Sequence, residues 1–323
     1  MTRIKQVFVA AAASALTVFA VAPAGAVTLP CSTAKLIVPW GAGGDTDIVF
    51  RTLANEINKQ GANPRVQVVN IGGQGGNKGA KEAKASAADG CTLLALHDSA
   101  IISYLAGRVN FTWTAFEPIA TVAYTPEVVG ASAKAPFDDM KGFVAAAKKT
   151  PGTIPVGVTL GSTSQFLFLL IDDATHIKVK FVPYEGTRQR LTALLANNIE
   201  LGDMNILTAK QYMKDKTLKA LGIATEKRSP LAPDLPTLKE QGVDVVYGLT
   251  RGVVAPKGTK PAVIDYWAGI IKKAAESKAV VDALGQKGTS VVYRGPADYA
   301  KFMKKLYGQY EKLAISIGMY KKK

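Results

Sequence analysis

Residues 35–57 read KLIVPWGAGGDTDIVFRTLANEI, and this stretch decides how the chain folds. A short β-like run, KLIVP, breaks into glycines, and a helix-period segment follows at once. Its Ile48, Val49, Leu53 and Ile57 share one helical face. A strand, a glycine turn and an amphipathic helix make up the opening unit of an open, parallel α/β sheet. The expected helix begins near Thr46 or Asp47 and leaves its first N–H groups unpaired, and the glycines before it let an anion approach them. The loop alone fits either an anion site or a tight turn that Asp47 merely caps.

The same pattern runs outward. VQVVN leads into IGGQGGNKG and a short Ala/Lys helix, and CTLLALH into a segment around AIISYLAG. In the second half PVGVTL leads into GSTSQFLFLLIDDA, VKFVPY into EGTRQRLTALLANN, and IELGDMN into AKQYMKD. LKALGIA enters a proline-rich crossing, and two amphipathic helices, KPAVIDYWAGIIKKAA and PADYAKFMKKLYGQYEKLAISIG, close the chain. At 323 residues the chain has room for two such α/β lobes. Ligands of open sheets sit beyond the carboxyl ends of the strands. In this chain those are the loops after KLIVP, LLALH, VGVTL and VKFVPY.

Met1–Ala26 reads as a secretory signal peptide. Arg3 and Lys5 precede an apolar run, and Ala24-Gly25-Ala26 supplies the small-x-small cleavage pattern. The run is short for a membrane span, and Leu29-Pro30-Cys31 is a poor lipid-attachment site, so the expectation is a soluble periplasmic protein cleaved after Ala26. Cys31 and Cys91, the only cysteines, each stand just ahead of a β-like run. Neighbouring parallel strands would bring them together, and in an exported protein they would oxidise to a disulfide; the alternative is two buried thiols.

Forty Lys and Arg against 25 Asp and Glu give a formal charge of +15, which favours anionic partners. The lysines are scattered, with no basic stripe interleaved with aromatics, so nucleic acid is not expected. With only two histidines, His97 and His176, the chain offers no metal cluster. Nucleotide loops fail as well. Thr46 stands where a dinucleotide fingerprint needs its third glycine, Asn70 stands where it needs an acid, and Lys78 is followed by Gly79.

GSTSQFLFLL adds a second candidate anion site. Ser162 and Gln165 have capping-box spacing, which predicts a helix start, and Ser162, Thr163 and Ser164 surround it with hydroxyls. Gly161-Ser162-Thr163-Ser164-Gln165 lacks the second glycine of a nucleophile elbow. His97-Asp98-Ser99 imitates a triad in a row, but adjacent residues do not converge. Arg251 stands where the chain returns to the first lobe; it could fork onto a ligand carboxylate or form an interlobe ion pair. Asp203 ends a strand and either faces the cleft or caps a turn. Of Arg188 and Arg190, one is expected to be solvated.

Taken together and in order, several segments resemble the Bug-type periplasmic solute-binding proteins of the tripartite tricarboxylate transporter system. They are LIVPWGAGGDTDIVFRTLA, VVNIGGQGGNKGAKEAKASAADGCTLL, FEPIATVAY, LGSTSQFLF, VPYEGTRQRLTALLANNIELGDMN, KALGIATEKRSPLAPDLPTLKEQGVD and RGVVAPKGT. The resemblance implies a two-lobed, type II Venus-flytrap fold. Each lobe would be a doubly wound, mainly parallel sheet with flanking helices, lobe I being residues 27–127 plus 250–323 and lobe II residues 128–249. It implies no catalysis and no cofactor. A monomer would hold a small carboxylate between the lobes and deliver it to a membrane permease, or to a sensor.

The implied ligand set begins with Trp40, Gly43, Gly44, Thr46 and Asp47, where ordered waters help bridge the carboxylate in the family. It continues with His97, Asp98 and Ser99, with Gly161, Ser162, Thr163 and Ser164, and with Tyr184 and Gly186 of the PYEG turn. Asp203 and Arg251, read from their places at a strand end and at the return to the first lobe, complete the candidate site. Two departures bear on the ligand. Asp45 stands where the family usually has a small neutral residue, and Thr250-Arg251 where many relatives carry tryptophan. The rival reading is an exported α/β hydrolytic enzyme using His97 or Asp98.

Overall fold

The computed structural model describes residues 27–321, so the segment read as a signal peptide lies outside them. The chain opens with β1 (Thr33–Val38), α1 (Asp45–Lys59), β2 (Arg65–Asn70), α2 (Asn77–Ala85), β3 (Thr92–His97) and α3 (Ser99–Leu105). An eleven-residue strand, β4 (Phe116–Pro126), passes through Glu127 directly into β5 (Val128–Ser132). Then come α4 (Met140–Lys149), β6 (Pro155–Val158), α5 (Thr163–Thr175), β7 (Lys180–Pro183), α6 (Thr187–Leu195), β8 (Leu201–Met204), α7 (Ile206–Lys214) and β9 (Leu218–Ile223). After an irregular crossing the chain finishes with β10 (Gly248–Pro256), α8 (Pro261–Ala275), α9 (Lys278–Gly285), β11 (Ser290–Arg294) and α10 (Pro296–Ser316).

The strands form a six-stranded sheet, β11-β4-β10-β3-β1-β2, and a five-stranded sheet, β7-β6-β8-β5-β9. This is the two-lobed α/β fold expected. The parallel pairing holds for β2-β1-β3 and for β7-β6-β8. The remaining pairings are antiparallel, so both sheets are mixed, although most strands in each share one direction and only β10, β11 and β5 run against it. The reason is the crossing: β5 enters the second sheet, and β10 returns to the first, against the direction of the strands on either side. In FEPIATVAYTPEVVGAS no helix-period segment separates β4 from β5 to signal a crossover.

The first lobe's core packs helices on the sheet much as the sequence pattern anticipates, except that Ile48 is only half-buried and Phe50 and Ala54 join the inner face. Val49, Phe50, Leu53, Ala54 and Ile57 of α1 are all buried, at i, i+3, i+4 spacing, beside Trp267 and Ile271 of α8. Each such large apolar side chain contributes about 1.5–3 kcal/mol by leaving water. Gly252 lets two layers meet at β10, because a Cβ there would lie 2.5 Å from the Tyr299 ring and 2.7 Å from the Ala120 carbonyl oxygen.

Cys31 and Cys91 form a disulfide at the starting ends of β1 and β3, which pair in parallel as anticipated. The opposite, carboxyl ends of these strands carry the loops to α1 and α3. The carboxyl ends of β6, β7 and β8 carry the corresponding loops of the second sheet. The two crossings lie side by side, since the Glu127 N–H donates to the Tyr247 carbonyl at 3.3 Å and the Ala224 N–H donates to the Glu127 carbonyl at 2.8 Å.

Candidate functional site

A cavity of about 270 Å³ lies between the two sets of loops. That is near the lower end of small-molecule pockets, about 300–1,000 Å³. Three helix N-termini open onto it. Gly44, Asp45 and Thr46 start α1; Ser162, Thr163 and Ser164 start α5; Gly186, Thr187 and Arg188 start α6. The Trp40–Asp47 and Gly161–Gln165 loops, which come from different sheets, therefore share one hollow.

On the first-lobe wall the Trp40 and His97 rings stack, with centroids 4.9 Å apart and planes 15° from parallel. Thr46 Oγ1 is a hub. It lies 2.7 Å from His97 Nε2 and accepts a hydrogen bond from Arg251 Nε at 3.1 Å. Arg251 also donates from Nη1 to Thr125 Oγ1 at 2.6 Å. Burial holds the His97 pKa well below its ordinary value, and the Arg251 charge pushes the same way, so His97 is neutral at pH 7. Arg251 is 2% exposed, and its hydrogen bonds go to neutral hydroxyls. Burial pulls its pKa down, while the charges of Asp45, Glu127 and Asp98 oppose that pull.

The second-lobe wall is closed electrically. Arg190 Nη2 donates to Asp203 Oδ2 at 2.7 Å, with both side chains buried, and Arg190 Nη1 donates to Thr159 Oγ1 at 2.9 Å. Arg188 is exposed, so one of the two arginines is solvated and the other is not. Two hydrogen bonds tie the lobes at the rim. Asn205 Nδ2 donates to Asp45 Oδ1 at 2.9 Å, and the Gly75 N–H donates to Glu185 Oε2 at 3.2 Å.

Of the residues singled out in the sequence, Trp40, Gly44, Thr46, His97, Ser162, Thr163, Ser164, Gly186, Asp203 and Arg251 face the cavity. Six others are absent from its wall, and each has a structural occupation. Asp47 turns into its own loop, accepting from the Gly43 N–H at 3.0 Å, Arg51 at 2.6 Å and Asn70 at 2.9 Å. Burial raises its pKa, but these hydrogen bonds outweigh burial and hold it below the usual carboxylate value. Gly43 is consumed by the same contact.

Asp98 and Ser99 follow His97 out of the strand and point elsewhere. Asp98 is buried against Tyr310, whose hydroxyl donates to Oδ2 at 3.0 Å. Burial lifts the Asp98 pKa to about 7, against the lowering effects of Tyr310 and Arg251. Gly161 has φ +67° and offers its carbonyl to Ser103 Oγ at 2.8 Å. Tyr184 packs over Gly157.

The capping box also differs in detail. Helix α5 begins at Thr163 as expected, but Gln165 Oε1 accepts from the Gly161 N–H at 2.7 Å, and Ser162 makes no side-chain cap bond. The left-handed turn at Gly161 aims that N–H at Gln165. The Ser162 hydroxyl is left to the cavity.

Residues missing from the sequence reading include Thr125, Glu127, Thr159 and Leu249. Thr125 and Glu127 flank the end of β4, and Leu249 lies beside them at the start of β10. Thr159 belongs to VGVTL, whose following loop is one of those marked for a ligand, but no motif marks Thr125, Glu127 or Leu249.

A family model described as tripartite tricarboxylate transporter family receptor (TctC) matches residues 49–319. The chain belongs to the TctC family. Among relatives of this TctC receptor is protein BugT of Bordetella pertussis, 32% identical over 281 residues, covering 85% of this chain and 86% of BugT. The periplasmic binding protein BugD superposes with a TM-score of 0.83 at 26% identity, covering 90% of this chain and 99% of BugD. MatC of Rhodopseudomonas palustris, solved with bound malate, gives a TM-score of 0.81 at 26% identity over 87% of this chain and 98% of MatC. TctC proteins are solute-binding proteins of the periplasm, so the enzyme reading is set aside: this is a binding protein.

Proposed function

We propose that this TctC protein captures a small organic carboxylate between its lobes and hands it to the membrane permease of a tripartite tricarboxylate-type transporter. In this reading residues 1–26 direct export and are removed after Ala26, and the mature chain works in the periplasm as a monomer. Lobe I is residues 27–127 plus 250–323 and lobe II is residues 128–249. The observation that carries the reading is the convergence of α1, α5 and α6 N-termini and the Arg251 guanidinium on one cavity.

Each helix terminus favours an anion by roughly 0.3–1 kcal/mol at exposed sites, and by more in a dry one. A hydrogen bond to a charged group adds about 1.5–3 kcal/mol. Arg251 and three termini together support a micromolar dissociation constant, about −8 kcal/mol. Malate, the ligand held by MatC, makes compact carboxylates the first compounds to try. Isothermal titration calorimetry of unliganded, refolded protein against a panel of mono-, di- and tricarboxylates tests the reading. At least one member should bind with micromolar or tighter affinity; heat-silent titrations across the panel would refute it.

A further inference from the structure

The charges around the cavity are not those of a plain anion trap. Arg190 and Asp203 neutralise each other, and Arg188 and Glu185 lie exposed at the mouth. Two groups of opposite sign stand out among those left without an ionic partner. One is Arg251. The other is Glu127, the single residue joining β4 to β5, which is 6% exposed and lines the cavity. Among the described residues neither forms an ion pair, and the Glu127 carboxylate has no hydrogen-bond donor. Asp45, also on the wall, is met only by the neutral amide of Asn205.

From this we infer that the ligand is a zwitterion or amino acid-like molecule: its carboxylate meets Arg251 and the helix termini, and a protonated amine meets Glu127, with Asp45 reinforcing it. The inference rests on the carboxylate-binding reading and narrows it. A pure di- or tricarboxylate would bring its second charge beside Asp45 and give Glu127 no cation, whereas an ammonium supplies the donors the Glu127 carboxylate lacks.

Glu127 also sits on the crossing between the sheets, with its backbone bonded to Tyr247 and Ala224. An amine held there would be recognised at the pivot of the two lobes. The charged groups facing Glu127 are Asp203 and Asp45, which oppose its ionisation, and Arg251 and Arg190, which favour it. Burial and the two acids dominate and push its pKa well up. An incoming ammonium reverses that balance and drives a proton off.

The test uses matched pairs that differ by one amine: succinate and aspartate, glutarate and glutamate, valerate and 5-aminovalerate. In the wild type at least one aminated member should bind ten-fold or more tighter than its partner, and Glu127→Gln should bring that ratio close to one. Titration in two buffers of different ionisation enthalpy should show proton release when the aminated member binds wild type, a readout that needs no variant. Equal or tighter binding of the amine-free members, without proton release, would overturn the inference and leave carboxylate binding standing. Binding of no member of any pair would overturn both.

Discussion

Arg251 and Arg190 occupy facing walls of one cavity, and both are almost fully buried, yet their surroundings are opposite. Arg190 is matched by Asp203 at 2.7 Å, whereas Arg251 is held by the hydroxyls of Thr46 and Thr125. A buried cation with a carboxylate beside it is already satisfied and serves the architecture. One positioned by neutral acceptors keeps its charge available. The difference separates a residue that builds the second-lobe wall from one that waits for a guest.

The largest expected effect breaks the matched pair. Arg190→Met leaves Asp203 buried without its counter-charge and should cost about 3–5 kcal/mol of stability, read by chemical denaturation.

The comparison extends to acids. Asp203 has an arginine at hydrogen-bond distance, while Asp98 has the Tyr310 hydroxyl and the Thr250 backbone, with Arg251 acting only through its charge, and is pushed to about 7 by burial. In the unfolded chain its pKa is about 3.9. Below about pH 4 both states hold the proton and the folded state bears no penalty. As pH rises to about 7 the unfolded chain ionises while folded Asp98 does not, so stability declines across that window, by at most about 4 kcal/mol. Asp98→Asn should flatten the decline between pH 4 and 7; an unchanged slope would mean that other groups cause it.

The smallest effect on folding falls on Arg251 itself. Arg251→Met should alter unliganded stability by less than about 1 kcal/mol, because its acceptors, the Thr46 and Thr125 hydroxyls, keep His97 and Thr289 as partners. It should nevertheless weaken carboxylate binding roughly 100-fold, the loss of one to two charged hydrogen bonds. Comparable destabilisation by both arginine variants, with affinity preserved, would erase the distinction between the walls.

The helix starts were readable because glycine turns and hydroxyl residues punctuate them: Gly41–Thr46, Gly161–Ser164 and Gly186–Thr187. The cysteine pairing followed from parallel neighbours. What the sequence hid lies where no punctuation exists. No glycine turn and helix separate β4 from β5, so the reversed direction of β5 left no trace in periodicity.

Asp98 and Ser99 entered the expected site with His97, as one loop of the cleft that the resemblance implies. Once the strand ends, successive side chains leave in different directions, and only His97 keeps the cavity. Glu127 escaped notice for the converse reason. A lone acid in a β-like run resembles a solvated edge until the second sheet folds over it.

The disulfide has a consequence of its own for how the molecule can be handled. It closes the starting ends of β1 and β3, while recognition occupies their far ends. At about 3.3 Å per residue, six-residue strands put some 20 Å of sheet between sulfur chemistry and ligand chemistry. Oxidation and capture are thus insulated from each other, and the half-exposed cystine presents itself to thiols in the medium without any traffic through the mouth.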